Sequence, residues 1–130
     1  GGRDRLLVHH DPRKEAPIQT VQGCHHLQEL VGIRWDSWGE QLATGGNDNR
    51  AFLWQAAASL AHPTGRIDEH TAAVKALAWS THRRGLLATG GGTADRTIRL
   101  WNTLRNQPEC HKPLALSHFN TGSQVCNMVW

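Results

Sequence analysis

Gly45-Gly46-Asn47-Asp48-Asn49-Arg50-Ala51-Phe52-Leu53-Trp54 is the stretch that decides the fold. In it a turn rich in Gly, Asn and Asp hands over to a short apolar run, and Asp48 stands six residues ahead of Trp54. The frame returns in Gly91-Gly92-Thr93-Ala94-Asp95-Arg96-Thr97-Ile98-Arg99-Leu100-Trp101, where Asp95 and Trp101 are again six apart. It fits a third time in Gly1-Gly2-Arg3-Asp4-Arg5-Leu6-Leu7-Val8, with His10 at the Trp place. Asp4 to Asp48 is 44 residues and Asp48 to Asp95 is 47. Roughly 40 to 45 residues is the period of a repeated four-stranded unit.

A second frame runs in step with the first. His26, Leu30 and Trp35 match His70, Val74 and Trp79, both with steps of four and nine residues, and Val125 to Trp130 repeats the closing step of five. Between the frames lie short apolar or alternating runs at 30–35, 41–44, 51–54, 74–79, 86–89 and 97–101, each followed by Gly, Asn, Asp or Ser. Such runs bounded by turn residues are strands of antiparallel hairpins. Only 55–61, with its alanines, has any helical character, and it is read as a loop leading into an outer strand. Each unit also holds the four polar residues with which a WD repeat ties its blade together: His26, Thr44, Asp48 and Trp54, then His70, Thr89, Asp95 and Trp101. Asp accepts from the imidazole, the imidazole meets the hydroxyl, and the hydroxyl meets the indole N–H, so each buried polar group has a partner. A structural role for these residues is preferred to a catalytic triad.

The expected fold is all-β: a WD-repeat β-propeller fragment of about two full four-stranded antiparallel blades plus parts of the flanking blades. Residues 1–22 are taken as the last hairpin of a preceding blade, 23–69 and 70–120 as blades, and 121–130 as the first strand of the next, making eleven strands in all. From Trp101 to Val125 is 24 residues where Trp54 to Val74 is 20, so the second blade is given a longer outer loop holding Cys110, His111, Pro113 and His118.

Composition narrows the function. Six Trp, thirteen Gly and no Tyr is the bias of a repeated motif, and the net charge of +3 comes from scattered Lys and Arg, which gives nucleic-acid binding little support. Cys24, Cys110 and Cys126 are an odd set without close pairing, as in reduced thiols of an intracellular protein. No apolar stretch approaches the roughly 20 residues of a membrane span. Cys24-His25-His26 and Cys110-His111 lack the paired spacing of a closed zinc site, and no Gly-Lys-Ser/Thr follows Gly90-Gly91-Gly92-Thr93 as a phosphate loop requires. No metal, cofactor or enzymatic activity is expected, so the alternatives are recognition surfaces.

Longer strings point to one family. Leu42-Ala43-Thr44-Gly45-Gly46-Asn47-Asp48-Asn49, Ala73-Val74-Lys75-Ala76, Leu87-Ala88-Thr89-Gly90-Gly91-Gly92-Thr93-Ala94-Asp95-Arg96 and Thr121-Gly122-Ser123-Gln124-Val125-Cys126 resemble the middle blades of the Fizzy and Fizzy-related activators of the anaphase-promoting complex, a ubiquitin ligase. What the resemblance implies is degron reading in the nucleus and cytoplasm. Such activators hold a Lys-Glu-Asn tripeptide of the substrate on the top face, and the positions that do so fall on Asn47, Asn49, Thr93 and Gln124. Asn and Gln amides both donate and accept, which suits those three side chains. The plainer account of Asn47 and Asn49 is that they favour a tight turn with positive φ, and of Thr93 that it caps a loop. A full propeller of the family resembles seven blades, and the blades that hold its second degron, its N-terminal activator box and its C-terminal Ile-Arg tail are not matched here. A generic WD-repeat scaffold and a truncated, non-functional fragment are the alternatives.

Overall fold

The computed structural model describes residues 7–9, 19–21, 26–57, 62–107 and 111–130. Ten strands are present among them, and two four-stranded antiparallel sheets dominate. The first is built in chain order from β3 (Leu30–Trp35), β4 (Gln41–Gly46), β5 (Ala51–Gln55) and β6 (Gly65–Ile67). β7 (Val74–Trp79), β8 (Leu86–Gly91), β9 (Thr97–Gln107) and β10 (Lys112–Asn120) make the second. A separate short ladder joins β1 (Leu7–His9) to β2 (Gln19–Val21).

The two sheets repeat one another in register. Leu42 lies opposite Trp54 across β4 and β5, and Leu87 lies opposite Trp101 across β8 and β9. Both indoles are fully buried. Each inner strand slips by one residue near its start, between Leu30 and Gly32 and between Val74 and Ala76, a bulge that bends the strand and re-aims one side chain. The turn after each inner strand is closed alike: Asp36 N–H donates to Gln41 O at 2.9 Å with Gly39 at φ 70°, and Ser80 N–H donates to Leu86 O at 2.9 Å with Gly85 at φ 72°.

The core is the seam between the sheets. Ala43, Ala51, Leu53 and Ile67 of the first meet Val74, Leu77, Trp79, Leu87 and Trp101 of the second. Two glycines let the backbones close up: a Cβ at Gly32 would lie 2.8 Å from Lys75 O, and one at Gly45 would lie 3.1 Å from the Val74 carbonyl carbon. At the other end the seam is polar. Trp79 Nε1 donates to Arg34 O at 3.0 Å, and Thr103 Oγ1 donates to Gln41 Oε1 at 2.7 Å.

Two expectations need correction. No strand forms over 125–130, so the described residues hold ten strands where eleven are expected. Val125 N–H donates to Gly91 O at 3.0 Å and Val125 is buried, but a strand needs a continuous ladder, and none of the described residues supplies one beyond that contact. The longer outer loop of the second sheet is mostly strand: the extra residues lengthen β9 and β10, so Pro113 and His118 lie in β10, with register shifts at Pro113/Leu114 and Ala115/Ser117. Proline is tolerated there because β10 is an edge strand and interrupts its ladder. Of the loop at 55–61, Gln55 closes β5 and Ala56 and Ala57 form a turn, while 58–61 lie outside the described residues, as does Cys110.

Candidate peptide-binding turns and the relays beneath them

Under each β-turn sits a buried relay. In the first sheet His26 Nδ1 lies 3.0 Å from Asp48 Oδ1, His26 Nε2 lies 3.0 Å from Thr44 Oγ1, and Trp54 Nε1 donates to the same hydroxyl at 3.0 Å. The second repeats it: His70 Nδ1 meets Asp95 Oδ2, His70 Nε2 lies 2.6 Å from Thr89 Oγ1, and Trp101 Nε1 donates to Thr89 Oγ1 at 2.9 Å. With neutral imidazoles one direction satisfies every group. The indole N–H donates to the hydroxyl oxygen, the hydroxyl donates to Nε2, and Nδ1–H donates to the carboxylate. Both threonines are fully buried, so neither hydroxyl can reach a substrate. Phe52 packs edge-on against His26 at 4.7 Å and completes the wall of the first relay.

Burial holds the His70 imidazole below its ordinary value, and the Asp95 carboxylate opposes this only in part. The unfolded chain therefore takes up a proton near pH 6.5 that the folded chain resists, and stability rises with pH where the unfolded state binds more protons. Stability is expected to be level with respect to this group above about pH 7 and to fall as pH drops below about 6.5, by at most about 1.4 kcal/mol per pH unit. An NMR titration of the His70 ring would show a midpoint below 6.5, with the urea midpoint falling between pH 7 and pH 5.5. A midpoint at or above 6.5 would contradict the buried neutral relay.

The Asp of each relay also shapes the turn above it. Asp48 accepts from Leu27 N–H at 2.8 Å and Arg50 N–H at 3.3 Å, and Asp95 accepts from Thr97 Oγ1 at 2.9 Å. The next residue adopts the left-handed conformation in both turns, Asn49 at φ 64° and Arg96 at φ 57°. Asn49 is thus partly a turn former, since Asn tolerates this region better than most residues.

These turns carry the four residues singled out from the sequence. Asn47 and Asn49 lie between β4 and β5, Thr93 lies between β8 and β9, and Gln124 immediately precedes Val125. Thr93 Oγ1 donates to Gln124 Oε1 at 2.9 Å, and both residues are exposed. Asn47 N–H donates to Glu29 O at 2.9 Å, and its Nδ2 donates to Glu29 Oε2 at 3.2 Å. No hydrogen bond joins the Asn pair to the Thr93–Gln124 pair, but Gly45 at the end of β4 abuts Val74 at the start of β7, and Gly90 at the end of β8 abuts Val125, so both turns open at the same end of the packed sheets. Glu29 is the residue that sequence reasoning missed. Its only signal is its place just before Leu30, and the fold alone sets it against the next turn. It adds a carboxylate to a cluster of amides and a hydroxyl, a surface able to meet an ammonium, a carboxylate or an amide. Among the described residues no cluster of His, Cys, Asp and Glu is arranged to hold a metal ion, and no helix is long and apolar enough to cross a membrane.

Two stacked four-stranded sheets, each pinned by a Trp–Thr–His–Asp relay, define a class of protein: the WD-repeat β-propellers. The chain belongs to the WD domain, G-beta repeat family, whose model matches residues 16–55 and 61–102. Over its whole length it is 45% identical to meiotic fizzy-related protein 1 of Schizosaccharomyces pombe, covering 28% of that protein. It is 44% identical to cell division cycle 20.1, cofactor of APC complex, of Arabidopsis thaliana, covering 28%, and 43% identical to APC/C activator protein CDH1 of Saccharomyces cerevisiae, covering 21%. The chain thus spans about a quarter of the length of these relatives. A chain in the crystal structure of the mitotic checkpoint complex superposes with a TM-score of 0.85 at 40% identity, over 98% of this chain and 38% of that one.

Proposed function

We propose that this chain supplies part of the degron-binding face of a non-enzymatic activator and substrate receptor of the anaphase-promoting complex, with Asn47, Asn49, Thr93 and Gln124 contacting a Lys-Glu-Asn peptide. The observation that carries the reading is that the turns bearing these residues open at one end of the packed sheets and leave their polar side chains partly or wholly accessible. Support comes also from the relatives, named as activators or cofactors of that complex. Glu29 adds a carboxylate for the peptide's ammonium. Docking on the ligase falls to other parts of such a protein, and the site of action is intracellular, in nucleus and cytoplasm. The reading assigns residues 1–22 to the end of one blade, 23–69 and 70–120 to two whole blades, and 121–130 to the start of the next.

The left-handed backbone at Asn49 dictates the test. Alanine there would strain the turn as well as remove the amide, whereas glycine removes only the amide. Asn49→Gly is expected to weaken binding of a labelled Lys-Glu-Asn peptide by about two- to twelvefold, the loss of one polar contact of about 0.5 to 1.5 kcal/mol, with its melting temperature nearly kept. Thr93→Val should behave likewise, because Gln124 loses its donor. The measurement is fluorescence anisotropy, with peptides carrying Ala at Lys or at Asn as controls. Equal affinity of all peptides for all variants would leave a generic scaffold whose turns read nothing.

A further inference from the structure

Below the turns, on the edge of the seam where β3 and β7 run side by side, lies a polar cavity of about 420 Å³ bordered by Arg34, Lys75, Cys126 and Asn127. Its charge is one-sided. Arg34 and Lys75, like Arg50, Arg83, Arg96 and Arg105, form no ion pair among the described residues, but they alone border one cavity together, with no carboxylate in its lining, and both are exposed. The fold creates this pairing of cations. Lys75 is the residue at which the β7 ladder slips, which frees its side chain from the alternation of the strand. Gly32 allows the Lys75 carbonyl within 2.8 Å of where a Cβ would stand, so the two inner strands approach closely enough for one cavity to be bordered by both cations. Two unneutralised cations on low-dielectric walls concentrate anions, and a guanidinium grips a carboxylate by two hydrogen bonds.

We propose that this cavity is a carboxylate subsite for an acidic side chain of the bound peptide. The proposal rests on the peptide-binding reading of the turns above. Leu30 lies opposite Gly46, beside Asn47, and Asn127 is three residues beyond Gln124. At about 3.3 Å per extended residue the cavity is about 10 Å from the turns, the reach of an Asp or Glu two to four positions from the tripeptide.

Cys126, exposed at the cavity wall, serves as a reporter that needs no peptide. The full chain is treated with iodoacetate, an anion, or neutral iodoacetamide, and alkylation at Cys126 is followed by peptide mass spectrometry and normalised to the unfolded chain. The iodoacetate-to-iodoacetamide rate ratio is expected to be raised about threefold or more at low salt, to fall to the unfolded value in Arg34→Gln/Lys75→Gln, and to be kept in Lys75→Arg. A ratio unaffected by the double substitution overturns the site, whatever the fate of the degron reading. In the second arm, Lys-Glu-Asn peptides with one Asp two to four positions to either side are compared with Asn counterparts. At one position the Asp peptide is expected to bind at least threefold tighter and to lose that advantage in the double variant. Tripeptide binding with no Asp advantage at any position overturns the subsite while leaving the degron reading standing. Absence of all tripeptide binding overturns both. Protection of Cys126 by inorganic phosphate but not by Asp peptides would make this a site for small free anions and overturn the assignment to a peptide.

Discussion

Alanine at Gly45 is expected to cost about 3 kcal/mol of folding stability, the upper end of what overpacking a core imposes. The cause is backbone against backbone. A Cβ there would overlap the Val74 carbonyl oxygen, stand 3.1 Å from its carbon and press Val74 Cγ1 at 3.2 Å. Neither β4 nor β7 can yield alone, because each is held in its own four-stranded ladder. Relief requires parting the sheets along the seam that contains the core. Gly90 is its equivalent in the second sheet, but there the obstacle is the Val125 side chain at 2.5 Å, on a segment without a ladder. Gly90→Ala should cost less, since that segment can withdraw. Gly92→Ala, whose Cβ would stand 3.4 Å from its nearest neighbour, should change stability by no more than about 0.5 kcal/mol. Urea denaturation of the three variants checks the order, and a Gly45→Ala protein as stable as the parent would refute the packing account.

Asp95→Ala should lower stability by about 2 to 3 kcal/mol. The carboxylate accepts from the His70 ring and from Thr97 Oγ1, and His70 is only 4% exposed, so water cannot replace the lost acceptor. The damage should spread along the relay, because the imidazole orientation fixes the Thr89 hydroxyl and through it the Trp101 indole. Asp95→Asn keeps an acceptor oxygen for Nδ1–H and should recover much of the loss. Thermal melts of the two variants at pH 7.5, each paired with a peptide titration well below its midpoint, separate folding from recognition. Were Asp95→Ala to keep its full melting temperature while losing peptide, the relay would belong to recognition and its structural reading would fail.

The two relays were legible in the sequence because their logic is local and repeated: a buried His needs an acceptor, and an Asp six residues before a Trp recurs in step with it. The strands followed from the same frames wherever a ladder partner lies a short turn away. No strand forms over 125–130, since a sequence pattern records which residues suit a strand but not how a segment is paired. The β9–β10 hairpin was misjudged for the opposite reason. Four additional residues resemble loop until β9 and the edge strand β10 are seen to absorb them through register shifts.

Of the candidate site, Asn47, Asn49, Thr93 and Gln124 could be named from the residues together with the family resemblance, but their partners could not. Glu29 against Asn47 and Thr93 against Gln124 are set by how turns of different strands meet, and the φ of 64° at Asn49 belongs to the folded turn. By itself the sequence determined the repeat, its all-β class and the polar relay inside each unit, since these follow from spacing within about 50 residues and from the cost of burying an unpaired polar group. The tertiary structure alone decided that Gly45 abuts Val74, that Trp79 bonds the carbonyl of Arg34, and that Arg34 and Lys75 share one cavity. Those contacts depend on the distance and angle between two packed sheets, which no periodicity along the chain encodes.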